Sequence, residues 1–219
     1  MSTLHAAALL LADGRLPTGG HAHSGGVETA VATGAVRTTA ELREFCRGRL
    51  HTTGGTAAGL AAAAADGADL AYLDAEADAR CPSPALRATS RRLGRQMMRT
   101  ARHLWWSERL AAAVDTPRGP HHAVALGCVA AAAGLGPREA ALLAAVDSIT
   151  VPAAAALRLL GLDPFPVYGA LAELSGEADA VAEQAALMVA AGTLPSRSAP
   201  LLDVYAEQHA TMEVHLFAS

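Results

Sequence analysis

Apolar and polar positions recur along this chain with the roughly 3.6-residue period of amphipathic helices, in runs that glycine and proline cut at short intervals. Leu4 to Leu11 predicts a first short helix, and Asp13 to Gly26 reads as a glycine-rich loop. The Ser24 hydroxyl can accept a bond from a first-turn amide, which predicts a helix from about Gly25 to Thr33, closed by Gly34. Thr38 and Glu41 have the spacing of a capping box, and the helix they start places Leu42, Phe45, Cys46 and Leu50 on one side. Thr56 to Ala65 is an alanine-rich helix and Asp69 to Ala79 a short acidic one. Ser83-Pro84 is a cap followed by proline at the first helical position, opening the longest predicted helix, to about Val114. His121 to Gly134 and Arg138 to Gly161 follow. In the latter, Pro152 removes a hydrogen bond and clashes with the preceding turn, which predicts a kink or a break. Asp163-Pro164 repeats the cap-then-proline signal, Glu177 to Ala191 is a further helix, Leu194 to Pro200 a loop, and Leu201 to His209 a last helical segment before a tail.

These segments predict an all-α, single-domain bundle of about ten short to medium helices over residues 1–219, with brief connections that favour antiparallel neighbours. Composition agrees. Of 219 residues, 54 are alanine and only eight aromatic, lysine and asparagine are missing, and Ile149 is the single isoleucine. The core must then be leucine, alanine and valine, and a sheet-rich fold is excluded. Cys46, Cys81 and Cys128 are odd in number and far apart, which reads as buried thiols rather than a disulfide framework or a zinc site. The apolar stretch Leu4 to Ala12 lacks the positive start of a signal peptide. The longest uncharged run, from Gly119 to Leu135 and just beyond, carries Pro120, two histidines and, up to Leu135, three glycines, too polar to span a bilayer. The chain therefore reads as cytoplasmic, with no membrane partner.

Charge adds one pattern. All 17 basic residues are arginines, against 21 acids. On the long helix Arg87, Arg91, Arg95, Arg99, Arg102 and Arg109 line one face, opposite Leu86, Leu93, Met97, Thr100 and Leu104. This stripe is either a solvated face or a docking face for an acidic surface, with Trp106 and Trp105 as possible anchors. From Glu139 onward ten acids face only Arg158 and Arg197, so an internal contact or one across a homodimer would serve equally. A net charge of −4 leaves no basic footprint for nucleic acid.

The segment from Pro17 to Gly26, with four glycines around His21 and His23, admits three readings: a structural loop, a loop that inserts into a partner, or a metal site. The last needs more ligands than a His-x-His pair provides. No phosphate loop, serine elbow, zincin motif or paired-carboxylate motif occurs, so no enzyme signature and no cofactor are indicated. His121 and His122, at a helix start, read as surface or capping residues.

Leu16, Pro17, Gly19, Gly20, Ser24, Gly26 and Glu28 stand in the order and spacing of the Leu-Pro-x-Gly-Gly-x-x-x-Ser-x-Gly-x-Glu pattern of the UreF family of urease accessory proteins, which this chain resembles. Ser90 to Met97 is similar to the Ser…Leu-Gly-Arg stretch of that family's central helix, and His121 to Gly127 to its His-x-x-Val-Ala-Leu-Gly helix start. Ala156 to Gly161 sits where the family carries an Arg-Leu/Val-x-x-Leu-Gly-Gln element. His209 with Leu216, Phe217, Ala218 and Ser219 resembles the family's C-terminal tail. This sequence departs from the pattern at His21-Ala22-His23-Ser24, where Phe-Ser-Tyr-Ser is common, at Leu162 to Pro164, and at His215 and Ala218, where arginines are usual.

The resemblance implies an all-α homodimeric scaffold without catalysis of its own. It implies binding to UreD (also called UreH) and recruitment of the GTPase UreG, so that nickel reaches apo-urease. The implied partner-binding parts are the glycine-rich loop, with Gly19, Gly20, His21, His23, Ser24 and Glu28, and the tail at about 209–219, with His209, His215, Leu216, Phe217 and Ser219. Arg91, Arg95 and Arg99 join them if the stripe is a docking face. On the residues alone, a stand-alone nickel-binding chaperone using His21 and His23 and a generic helical adaptor remain as alternatives.

Overall fold

The computed structural model of the chain describes residues 6–114, 118–213 and 215–217, apart from the side chain of His21. Among them the architecture is all-α: α1 (Ala6–Ala12), α2 (Val27–Ala32), α3 (Thr39–Arg49), α4 (Gly55–Ala65), α5 (Leu70–Ala79), α6 (Pro84–Leu104), α7 (Glu108–Val114), α8 (His122–Ala132), α9 (Pro137–Leu160), α10 (Pro164–Ala190) and α11 (Pro200–Ala210). The Leu4 start predicted for the first helix lies outside the described residues.

The alanine-rich helix is the axis of the bundle. In α4 every residue from Ala58 to Ala64 is buried, and α8, α9 and α10 pack around it. Small side chains let these neighbours approach closely: a methyl group on Gly127 of α8 would collide with the Ala61 carbonyl of α4. At the end of α4, Arg109 donates from Nε to the Ala64 carbonyl at 3.2 Å, satisfying an acceptor the helix leaves open. Around this centre α6 packs on α8, and α3 on α9 and α10.

Local chemistry sets the helix starts. Thr38 accepts from the Glu41 amide at 3.3 Å while the Glu41 carboxylate accepts from the Thr38 amide at 3.0 Å, a complete capping box. Ser83, Asp69 and Asp163 cap α6, α5 and α10 by the forward bond alone, each side chain accepting from a first-turn amide.

Four predicted boundaries are corrected. The arginine-rich helix ends at Leu104, because Trp105 turns extended (φ −137°) and Ser107 starts a new helix by accepting from the Leu110 amide at 3.1 Å. The longest helix is instead α10, with 27 residues, where no break separates Pro164 from Glu177; its two prolines lie in the first turn, which needs no amide donor. Ser24 is not a helix cap, since Gly26 occupies that position with φ 87°. Of the kink or break expected at Pro152, the break is absent, and α9 continues from Pro137 to Leu160. Proline leaves the Ser148 carbonyl without its usual donor, and Arg49 supplies one, Nε donating at 3.0 Å.

Helix α9 is also long and apolar enough to cross a membrane by length and composition, with a mean hydropathy of 1.8, but 61% of that stretch is buried inside the fold. It is the core helix that the bundle closes on.

Candidate functional site

The two segments that the sequence nominates, the glycine-rich loop and the tail, lie together. The loop is pinned at both ends. Near its start the Pro17 carbonyl accepts from Thr100 Oγ at 2.6 Å and from Gln96 Nε2 at 2.9 Å, fastening it to α6. Gly20 then enters a short 3₁₀ turn with His21 and Ala22. Ser24 is fully buried and accepts from the Gly26 amide at 3.3 Å. Gly25 and Gly26 hold φ of 62° and 87°, a left-handed pair that β-carbon-bearing residues adopt only with strain. That geometry turns the Gly25 carbonyl to Arg49, which donates at 3.0 Å and so ties the loop to the same guanidinium that repairs the Pro152 gap.

Glu28, in the first turn of α2, is only 5% exposed and gathers the tail. Its Oε2 accepts from His209 Nε2 at 2.8 Å and from the Phe217 amide at 3.1 Å, and its Oε1 accepts from the Leu216 amide at 2.6 Å. A buried carboxylate is tolerated only when its oxygens are satisfied, and these three donors do so. Phe217 is buried, with the Arg158 guanidinium 5.5 Å from its ring centre, a cation–π distance. His215 stacks at an angle on His209, ring centres 4.9 Å apart, and Leu216 is left 74% exposed. Thr29 Oγ donates to the Tyr205 carbonyl at 3.1 Å and joins α2 to α11 beside them. Ser219 and the side chain of His21 lie outside the described residues.

The arginine stripe does not survive as one face. Arg91 is buried: it grips Asp74 with both terminal nitrogens at 2.8 and 2.9 Å, reaches Asp78 at 2.9 Å, and donates to the Gly119 carbonyl at 2.7 Å. It fastens α5 to α6 and the approach to α8, so it is not an exposed contact residue. Arg109 belongs to α7 and caps α4, and Arg87 donates to the Cys81 and Pro82 carbonyls. Arg95, Arg99 and Arg102 remain exposed and, with His103, line a cavity of about 470 Å³ walled by Met98, Val114 and Pro120. The acids of the C-terminal half pair elsewhere: Glu173 with Arg43 and Glu177 with Arg47, each at 3.0 Å, and Glu183 with Arg138 at 2.6 Å.

His121 stands at the N-cap position of α8, as one of the two expected readings has it, but its side chain makes no capping bond, and at 3% exposure it is not a surface residue. Asp78 can only accept, so His121 Nε2 donates to it at 2.9 Å, and Nδ1 accepts from Ser90 Oγ at 3.0 Å. Burial holds its pKa below the usual histidine value, outweighing the Asp78 bond, and keeps the ring neutral. Burial raises the pKa of Asp78, but the bonds from His121 and Arg91 outweigh it and hold the carboxyl at about 2. The order serine–histidine–aspartate has the connectivity of a hydrolytic triad. Here, however, Ser90 Oγ also accepts the His122 amide at 3.1 Å, and Asp78 is shared with Arg91 and Arg118, at 2.9 Å each. The network locks the start of α8 onto α5 and α6.

No disulfide joins the cysteines, and burial pushes the Cys46 thiol up to about 12 and Cys81 to about 11, protonated and unreactive at neutral pH. Among the described residues no three His, Cys, Asp or Glu side chains come together in a way that could hold a metal ion. Sequence reasoning missed one surface. Phe165 and Tyr168 of α10 are 87% and 63% exposed, and Leu9 and Leu10 of α1 stand in water as well. Tyr168 and the end of α1 border one groove, at Leu11 and Ala12. The scarcity of aromatic residues was the available signal, since two of eight sit three apart after one helix cap.

The described residues thus form an all-α protein whose polar side chains are spent on fastening helices and on binding a tail to a loop. Residues 36–175 match the sequence model of the UreF family. The urease accessory protein UreF of Mycolicibacterium vanbaalenii is 45% identical over 223 residues, covering 100% of both chains. That of Mycobacterium marinum is 44% identical over 225 residues, again 100% of both, and that of Mycobacterium tuberculosis H37Rv 43% over 217 residues, 96% of this chain and 97% of the relative. The chain belongs to the UreF family of urease accessory proteins.

Proposed function

We propose that the chain is a non-catalytic scaffold of urease maturation, which binds UreD (UreH) and recruits the GTPase UreG so that nickel is inserted into apo-urease. It acts in the cytoplasm as a homodimer. The observation that carries this reading is the union of loop and tail at Glu28, within a chain that aligns with urease accessory proteins along its whole length. Loop and tail, joined at Glu28, offer a partner one shared surface.

Within that surface the described residues divide by burial: Gly19, Gly20, His23, His215 and Leu216 supply contacts, while the buried Ser24, Glu28, His209 and Phe217 position them. His21 and Ser219 are proposed as contact residues on the family resemblance alone. Arg95 and Arg99 form a second contact area. The exposed Phe165, Tyr168, Leu9 and Leu10 support association with another chain, since isolated rings in water are a cost that burial removes.

The test is size-exclusion chromatography with light scattering, on the protein alone, with UreD, and with UreD and UreG together. The expected result is a dimer that co-elutes with UreD and then with both. Separate peaks for all three overturn the scaffold reading. Deleting residues 209–219 abolishes co-elution while helicity persists; if the shortened chain still captures both partners at normal yield, the tail is not part of the binding surface.

A further inference from the structure

We propose that the cavity lined by Arg95, Arg99, Arg102 and His103 receives the carboxylate side chains of an acidic protein segment, with the exposed Trp106, on the link that follows α6, as an apolar anchor. The proposal deepens the scaffold reading by giving one docking area a partner chemistry, and rests on that reading only in requiring a protein partner.

Three observations carry it. First, the charge is uncompensated: Arg95, Arg99 and Arg102 follow one another at one-turn spacing on α6, and among the described residues none of them forms an ion pair. Among the described residues the one hydrogen bond made by these three side chains is from Arg95 to the Arg118 carbonyl, at 2.8 Å, which leaves its charge unbalanced. No described acid lines the cavity. Arg87, Arg91 and Arg109 show the contrast, because all three are engaged by carbonyls or carboxylates, while Arg92, also on α6, donates to the Thr89 hydroxyl at 3.3 Å and does not line the cavity.

Second, the basic groups surround a concavity of about 470 Å³ rather than a convex helix face. Its walls at Met98, Val114 and Pro120 are low-dielectric matter that focuses the field of the charges into the cavity. Guanidinium forks suit carboxylates in pairs.

Third, the neighbouring residues distinguish a protein segment from a small anion. Helix α6 stops at Leu104, and the extended link that follows presents Trp106 at 72% exposure. A phosphate has no use for this side chain, whereas tryptophan and arginine together are the usual anchors of protein interfaces. The net charge of −4 on the chain opposes a nucleic-acid occupant.

The probe is a fluorescein-labelled peptide of four Glu-Glu-Leu repeats, titrated into the full chain and followed by anisotropy and tryptophan fluorescence. The proposal requires saturable binding that falls about tenfold or more in Arg99→Glu/Arg102→Glu, weakens as salt rises, and is lost when every glutamate of the peptide is glutamine. Trp106→Ala removes the tryptophan signal change. Arg37→Glu, a reversal at an exposed arginine between α2 and α3, outside the loop, the tail and α6, leaves binding unchanged, and Arg99→Ala/Arg102→Ala replaces the reversal if that variant melts early. Unchanged affinity in both double variants, or binding of inorganic triphosphate without binding of the peptide, overturns the proposal. Co-elution with UreD and UreG is scored on the same samples: wild-type co-elution without peptide binding overturns the cavity alone, and peptide binding without co-elution overturns the scaffold reading alone.

Discussion

Glu28 and His209, separated by 181 positions in the chain, share a 2.8 Å hydrogen bond in the interior, and the backbone of the C-terminal tail closes over the same carboxylate. One side chain on a six-residue helix thereby decides where the last turn of α11 and residues 216–217 rest.

Replacing that carboxylate is the most direct perturbation. Glu28→Ala leaves a buried imidazole and two amides without an acceptor, and should cost about 3 kcal/mol. The loss is read as a lower denaturant midpoint, with faster amide exchange at 216 and 217. If those amides exchange no faster than in the wild type, Glu28 does not hold the tail.

Arg49 and Pro152 should be coupled. Arg49→Ala strips the donor from the Ser148 carbonyl and another from Gly25, a loss of about 2 kcal/mol. Pro152→Ala restores the amide that the Ser148 carbonyl lacks, so in that background the same arginine change should cost about 1 kcal/mol less. A double-mutant cycle by urea unfolding measures the difference, and simple additivity would show that the guanidinium does not repair the helix.

The two motif glycines are steric requirements. A methyl group at Gly94 would strike the Pro120 carbonyl, and one at Gly127 the Ala61 carbonyl, both rigid backbone. Gly94→Ala and Gly127→Ala should each destabilise by about 3 kcal/mol. Gly176 of α10 is exposed and meets nothing nearby, so Gly176→Ala should stabilise by about 0.5–1 kcal/mol through reduced freedom of the unfolded chain. Thermal melts separate the pair from the control.

Stability should fall on the acid side in two stages. His121 has a folded pKa below its unfolded value, so below about pH 6.5 the unfolded chain takes up a proton that the fold refuses, and stability drops. Asp78, held at about 2, contributes fully above the ordinary value of 3.8 that it has in the unfolded chain and loses that contribution as pH falls toward 2. At pH 7 Asp78→Asn should therefore cost about 2 kcal/mol, shrinking as the pH approaches 2. His121→Gln should flatten the first stage. Parallel slopes for wild type and His121→Gln between pH 5 and 7 would dissociate His121 from the effect.

Much of the architecture was legible beforehand because its causes are local. The capping box at Thr38 and Glu41, the Ser83 and Asp163 caps and the alanine-rich axis needed only side-chain chemistry and helical period. The misplacements share a cause as well. Pro152 reads as a break until Arg49, far away in sequence, supplies the missing donor, and the arginine stripe reads as continuous until Trp105 turns the chain out of the helix. Loop and tail were both nominated from their resemblance to family patterns, yet nothing in the residue order states that Glu28 joins them.

The sequence by itself determined the class of fold, the core composition and the membership of a family, since periodicity, capping and motif spacing are properties of neighbouring residues. Tertiary structure decided which polar groups are available. Arg91 and His121 became buried fasteners, while Arg99 and Arg102 were left facing an open cavity and Phe165 facing water. Burial, and the distant donor or acceptor that makes it affordable, exists only once helices from different parts of the chain have met.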